Sequence, residues 1–233
     1  MQYAPLLLSA TVCAASLLLG APAAASIASC QRFSTPEASR LVLVASDMLV
    51  NGVPMSASEL HSQRSPDEVA RFYKASWEAR RLKVLETNES GWRTIATKDG
   101  NCFYTVQIRP APGQGTYALL GLTELGVNPT RALGEGFPKM SGSTVHNDLL
   151  NKDSGKVGRT LLLTNSYPPS RNAEFYRETL SASGWVAVSE QSTRAGSDIQ
   201  AVQTWRRGVE EANLVIARVP NATQVVVNMV SRP

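Results

Sequence analysis

Val69, Phe72, Tyr73 and Trp77 fall at i, i+3, i+4 and i+8, while Arg71, Lys74 and Glu78 take the opposite side. That is the 3.6-residue period of a helix with one apolar face. Its start is marked by Ser65 as N-cap, Pro66 at the first helical position and Glu68 three residues after the cap, a capping box. Asp67 and Glu68 also suit the positive end of the helix dipole. Shifting by 103 positions finds the layout again: Pro169, Phe175-Tyr176-Arg177, Leu180 for Trp77 and Trp185 for Leu82. Gly184 suits the left-handed residue that closes the second helix. Arg81 holds that place in the first. Either the first helix ends differently or Arg81 carries a small strain.

Strand patterns surround each helix. In the first half "RLVLVASDMLV" (40–50) and "VPMSASELHS" (53–62) flank Asn51-Gly52, a strong hairpin signal. "GWRTIATKDGNCFYTVQIRP" (91–110) and "GTYALLGLTEL" (115–125) follow the helix. In the second half "STVHNDLL" (143–150) and "GRTLLLTNS" (158–166) precede the helix across the turn "NKDSGK". "TWRRGVEEANLVIARVP" (204–220) and "ATQVVVNMV" (222–230) come after it, and the first of these matches 91–110 if Trp205-Arg206 aligns with Trp92-Arg93. "EQSTRAGSDIQ" (190–200) reads as an inserted, exposed hairpin loop.

The expected fold class is therefore α+β: two tandem related modules, each one helix packed on an antiparallel sheet, since a helix with one apolar face needs a sheet to cover. The modules span 31–125 and 143–233, joined by a Gly- and Pro-rich linker at 126–142. Phe72, Tyr73, Trp77, Trp92, Phe175, Tyr176, Trp185 and Trp205 are expected as structural core, because helical and strand spacing already accounts for them.

Residues 1–25 contain no charged side chain, and the apolar run 6–19 leads through Gly20 and Pro22 to Ala23 and Ala25. That is a secretory signal with cleavage after Ala25, although its n-region lacks Lys and Arg. An uncleaved anchor is the alternative. Cys13 would leave with the signal. Cys30 and Cys102 form the remaining pair, which in an oxidising compartment favours a disulfide. "IASC" (27–30) is also similar to a bacterial lipobox, so lipidation of Cys30 is the competing use of that sulfur.

With 43% hydrophobic and 18% charged residues, the composition is that of an ordinary globular protein. The net charge of +4 is spread along the chain. No clustered basic stripe marks a nucleic-acid surface, and none is expected as partner.

Candidate chemistry is sparse. His61 and His146 have no neighbouring Cys or His, so no zinc spacing arises. A Ser-His-Asp triad has little to build on. Gly113-Gln-Gly115-Thr-Tyr-Ala118 has the letters of a dinucleotide fingerprint, but prolines precede it and a strand-like run follows, which reads as a hairpin loop. His146, Asp148 and Asp153 gather in "HNDLLNKDSGK", yet the spacing fails a calcium loop and fits a turn. Asn88 and Asn221 open glycosylation sequons that matter only in a eukaryotic host. No catalytic, metal-binding or cofactor-binding residue is assigned.

"SPDEVARFY", with a strand before it and Gly-Trp after the second copy, resembles a module of small exported bacterial proteins and lipoproteins. More loosely it is similar to helix-on-sheet domains of outer-membrane assembly accessory lipoproteins. The resemblance implies a periplasmic or secreted, non-enzymatic accessory or binding protein of the cell envelope. Its partner would be another protein of a secretion, pilus or outer-membrane assembly system. A membrane contact would come only through a lipid on Cys30. The alternatives are an enzyme or small-ligand binder with a cleft between the halves, and a secreted effector or inhibitor.

Overall fold

The computed structural model describes residues 27, 29–129, 131–153, 155–195 and 198–232. The signal sequence expected at 1–25 lies outside them. The Asn51-Gly52 turn forms as its sequence demands, with φ of +53° and +81°. It joins β1 (Ser39–Val50) to β2 (Val53–Ser62). The helix α1 (Pro66–Ala79) begins on the expected capping box: Glu68 N–H donates to Ser65 Oγ, and Ser65 N–H donates to Glu68 Oε2 at 2.9 Å. Arg81 does take the left-handed conformation, at φ 58°, where Gly184 has φ 79°. Leu82 N–H then reaches back to Trp77 O as Trp185 N–H does to Leu180 O. The first helix thus keeps the common ending at the expense of strain on a residue with a Cβ.

β3 (Val84–Glu89), β4 (Trp92–Asp99), β5 (Cys102–Pro110) and β6 (Thr116–Glu124) complete the first half. β7 (Thr144–Asp153), β8 (Lys156–Asn165), α2 (Pro169–Ala182), β9 (Val186–Ala195), β10 (Asp198–Arg207), β11 (Glu210–Val219) and β12 (Ala222–Ser231) follow. β8 and α2 lie 103 positions after β2 and α1.

The expectation of two modules, each a helix on its own sheet, is overturned. All twelve strands form one antiparallel sheet in the order β3-β4-β5-β6-β2-β1-β7-β8-β12-β11-β10-β9. The two helices are only 14 residues each, so the chain is predominantly β. The halves join where β1 pairs with β7, Met48 against Asn151 and Val50 against Leu149. Each strand would otherwise present an unpaired backbone edge beside Leu49, Val50, Leu149 and Leu150, and joining removes both edges at once. The turn before β2 tightens the joint. Asn51 N–H donates to Asp148 O at 2.9 Å, and Asp148 N–H donates to Asn51 Oδ1 at 2.8 Å.

The pairing also fixes the sides. Leu60 lies on the same face as Pro54, which pairs with Leu49; Leu49 pairs with Leu150, and Leu150 with Arg159, two residues from buried Leu161. Both helices therefore cover the same face of the sheet. Two core clusters lie beneath them. Leu60, Val69, Tyr73, Trp77, Ile95, Tyr104 and Val106 belong to the first; Leu161, Leu163, Tyr176, Leu180, Trp205, Leu214 and Val225 belong to the second.

The segment 190–200 is not a loop. β9 and β10 run through it and pair up to Ala195 against Asp198. The alignment of Trp92 with Trp205 also fails. Trp205 pairs with Ala212 and is fully buried, and the pair that takes this place in the first half is Thr97 with Tyr104. The large ring has changed strands within the pair, keeping the core filled. Trp92 sits instead at the far end of β4, half-buried, opposite Glu89. Tyr73, Trp77, Tyr176 and Trp185 are buried as expected, while Phe72 and Phe175 only pack against their clusters.

Tyr73 and Tyr176 make an instructive pair. Burial pushes both phenols above their usual range. Tyr73 OH donates to Ser34 O at 3.0 Å, whereas Tyr176 OH, beside the stacked ring of Phe137, meets no acceptor among the described residues. A buried hydroxyl without a partner costs about 1–3 kcal/mol. Tyr176→Phe should therefore raise the urea unfolding midpoint, and Tyr73→Phe should lower stability by about 1 kcal/mol. Equal effects from the two would refute this reading.

Candidate functional site

Leu180 in the last turn of α2, its C-cap Ser183 and Trp185 just beyond it border a cleft of about 310 Å³. Its floor and walls are Phe137, Leu150, Val157, Leu180 and Met229; Arg159, Arg207, Glu210 and Ser231 add polar groups. The corresponding place beside α1, lined by Phe33, Tyr73, Trp77, Arg80 and Tyr104 among others, holds only about 40 Å³.

Local sequence explains the difference. Trp77 fills the space that Leu180 leaves. Cys102 begins β5 where Glu210 begins β11, and it is bonded to Cys30. That disulfide draws the segment before β1 onto the core. Phe33 then sits edge-on between Tyr73 and Tyr104, and Tyr104 OH donates to Gln31 O at 3.0 Å. In the second half no such bond exists, and Arg207 and Glu210 face each other across the hairpin end, Nε to Oε2 at 2.8 Å. The Arg207 guanidinium lies 4.7 Å above the Trp185 ring, a cation–π contact. Val209, exposed over 67% of its surface, and Val230 stand at the same end of the sheet, and Val186 follows Trp185 on β9, an edge strand.

One wall of the cleft is held by a buried carboxylate. Asp148, only 3% exposed, accepts from Arg159 Nε at 2.9 Å, from an Arg159 terminal nitrogen at 2.7 Å and from Gly134 N–H at 2.9 Å; Arg131 adds a bond at 3.2 Å. Arg159 also donates to Glu135 O at 2.9 Å. The loop carrying Phe137 is thereby fastened to β7 and β8. Burial by itself would raise the Asp148 carboxyl, but the bonds from Arg159 and Gly134 and the two positive charges outweigh it and hold it below the ordinary range.

The sequence candidates for chemistry do not converge here. His146 bonds Thr164 Oγ1 at 2.6 Å rather than Asp148. His61 lies 3.4 Å from Glu59 in the other half. Asp153 ends β7 at the turn into β8. Gly113 and Gly115 lie in the turn from β5 to β6, where a Cβ on Gly115 would stand 2.2 Å from Ser62 O; the backbone approach explains that glycine. Cys30 and Cys102 are joined as expected, and a sulfur in a disulfide carries no lipid, so the lipid anchor at Cys30 is set aside. No helix among the described residues is long and apolar enough to cross a membrane. Among those residues, no three His, Cys, Asp or Glu side chains gather to hold a metal ion.

Arg159, Arg207 and Glu210 escaped the sequence reading, and Leu180 entered it only as the counterpart of Trp77. The one available signal was the exchange of Trp77 for Leu180 between otherwise similar helices. Comparison of the chain with known protein families, curated proteins and solved structures finds no match.

Proposed function

We propose that this is an exported, non-enzymatic binding protein of the bacterial cell envelope, an accessory of a secretion, pilus or outer-membrane assembly system. Its cleft beside α2 would take an apolar side chain from an extended segment of a protein partner. The observation that carries the reading is the contrast between the halves: one end is closed by Trp77 and a disulfide, and its counterpart is open. The recurring order of elements supports a duplicated unit, in which one copy kept a filled core and the other was released for binding. The Cys30–Cys102 disulfide fits an oxidising compartment, and with it a cleaved signal at 1–25. The free edge of β9, next to Trp185, offers backbone groups on which a partner strand can add.

The test is Leu180→Trp, which puts into the cleft the ring that the other half already carries at Trp77. The variant should remain folded, with a melting point lowered by no more than the cost of one enlarged core side chain, and lose at least 90% of the partner recovered from crosslinked envelopes, about 1.4 kcal/mol of binding. Full recovery with the cleft filled would sink the reading. So would the absence of any specific partner with the unaltered protein.

A further inference from the structure

The two halves share one order of elements and one order of strand neighbours, so the first half shows what lies at the place of the α2 cleft. There the segment before Phe33 crosses the ends of β5 and β6. Cys30 is bonded to Cys102, Ser29 Oγ donates to Glu124, and Gln31 O accepts from Tyr104 OH. Ile27 packs on the same core cluster. Strand register gives each contact a counterpart. Cys102 pairs with Glu124 as Glu210 pairs with Ser231, and Tyr104 pairs with Leu122 as Ala212 pairs with Met229. Glu210, Ser231 and Met229 all line the cleft. Phe33 beside Tyr73 is matched by Phe137 beside Tyr176, with ring centroids 5.9 and 5.7 Å apart. The cleft is therefore the seat that residues 29–31 fill in the first half.

The course of the chain before Phe137 empties that seat. Gly134 N–H and Arg131 both bond the Asp148 carboxylate, so this stretch is drawn to β7 and leaves the ends of β11 and β12 to line the cleft. The charged groups of the cleft are already matched, Arg159 by Asp148 and Arg207 by Glu210. An uncharged segment enters without disturbing either pair, whereas a charged side chain would lose water and gain no opposite charge. The bonds that fasten the first-half segment are missing as well. Glu210 has no thiol where Cys102 has one, and Ala212 has no hydroxyl where Tyr104 has one. An occupant is held there by apolar contact and is free to leave.

We propose that the partner enters the cleft with a short, uncharged segment of the pattern Ile-x-Ser-Cys, seated as Ile27, Ser29 and Cys30 are seated in the first half. This rests on the reading above that the cleft takes an apolar side chain of a protein partner. The small side chain in the place of Cys30 faces Glu210, and the serine before it faces Ser231. The branched side chain three residues before the small one packs on Leu180 and Met229, the counterparts of Trp77 and Leu122 in the cluster that Ile27 joins. One half thus keeps such a segment permanently, and the other takes it up reversibly from a partner.

Disulfide trapping tests the register. Glu210→Cys in the full disulfide-bonded protein puts a thiol where Cys102 has one. The probe is a capped synthetic peptide with the sequence of residues 25–31, Ala-Ser-Ile-Ala-Ser-Cys-Gln, incubated in a glutathione redox buffer and followed by intact mass. The unaltered protein, whose own disulfide is buried, is the blank. Capture should be at least tenfold greater than with an isomer in which the isoleucine and the cysteine exchange places. Adding Leu180→Trp should lower it at least tenfold. With the unaltered protein, the same peptide carrying Cys30→Ala should shift the NMR signals of Leu180, Trp185 and Met229 and leave the first half unmoved, which keeps the test open should Glu210→Cys fail to fold. Equal capture of the two isomers, capture indifferent to Leu180→Trp, or neither capture nor shifts would overturn the proposal. If Leu180→Trp abolishes recovery of the envelope partner while the peptide does not bind, the cleft reading stands and this assignment falls. If the partner is recovered in full, both fall.

Discussion

Breaking the Cys30–Cys102 bond, by Cys102→Ala or by reductant, is expected to lower the melting temperature by roughly 10 °C. The cysteines are 72 positions apart, and closing a loop of that length removes about 4 kcal/mol of chain entropy from the unfolded state. For a chain of this size each kcal/mol moves the melting point by about 2–4 °C. The loss should also be local. Without the bond, the segment before β1 is held by the packing of Ile27 and Phe33, the bonds to Gln31 O and Ser34 O, and the contacts of Ser29 with Glu124 and of Glu37 with Arg64. Hydrogen exchange should therefore quicken first around Tyr104 and α1, while the second half stays protected. A shift below 2 °C would mean that the aromatic contacts fasten the segment without the disulfide.

Asp148→Asn is the second large effect, an expected loss of about 3–5 kcal/mol. The amide keeps the size but not the charge, and leaves Arg159, itself largely buried, facing Arg131 without compensation. The pH dependence has a definite sign. The folded carboxyl lies below its ordinary value near 3.8, so its contribution is fully present above that pH and is lost as pH falls through the folded value. Urea melts between pH 7 and pH 2 should show an acid limb below about pH 4 that is smaller in Asp148→Asn. The loop with Phe137 hangs on this carboxylate, so the cleft should lose its wall together with that limb. Identical acid limbs in the two proteins would assign the effect to other carboxylates.

Much of the local structure is legible in the sequence because short-range chemistry decides it. The capping box at Ser65 and Glu68 marks the start of α1, and the Asn51-Gly52 turn sets the ends of β1 and β2. The spacing of Phe72, Tyr73 and Trp77 fixes a helix and its buried side. In α2 the cap is different and was not readable. Pro168 offers no side-chain bond there, and the helix start is tied instead by Asn172, whose amide exchanges hydrogen bonds with buried Asn165 at 2.7 and 3.0 Å.

The long-range choices were not legible. Identical Trp-Arg dipeptides mislead, because strand register depends on where the hairpin turns and not on matching letters: the turn at Asp99 and Cys102 corresponds to the one at Arg207 and Glu210. The β9–β10 hairpin looks like a loop because an edge strand exposed to solvent carries polar residues without an apolar alternation.

The sequence by itself determined the helices, most hairpins and the pairing of the last two cysteines, all matters of local spacing or of elimination. Only the tertiary structure decided that twelve strands share one sheet, since β1 and β7 meet through backbone bonds that any side chains permit. It alone decided that Leu180 leaves a cleft where Trp77 leaves none and that Asp148 is clasped by two arginines. Each of those depends on neighbours brought together from distant parts of the chain.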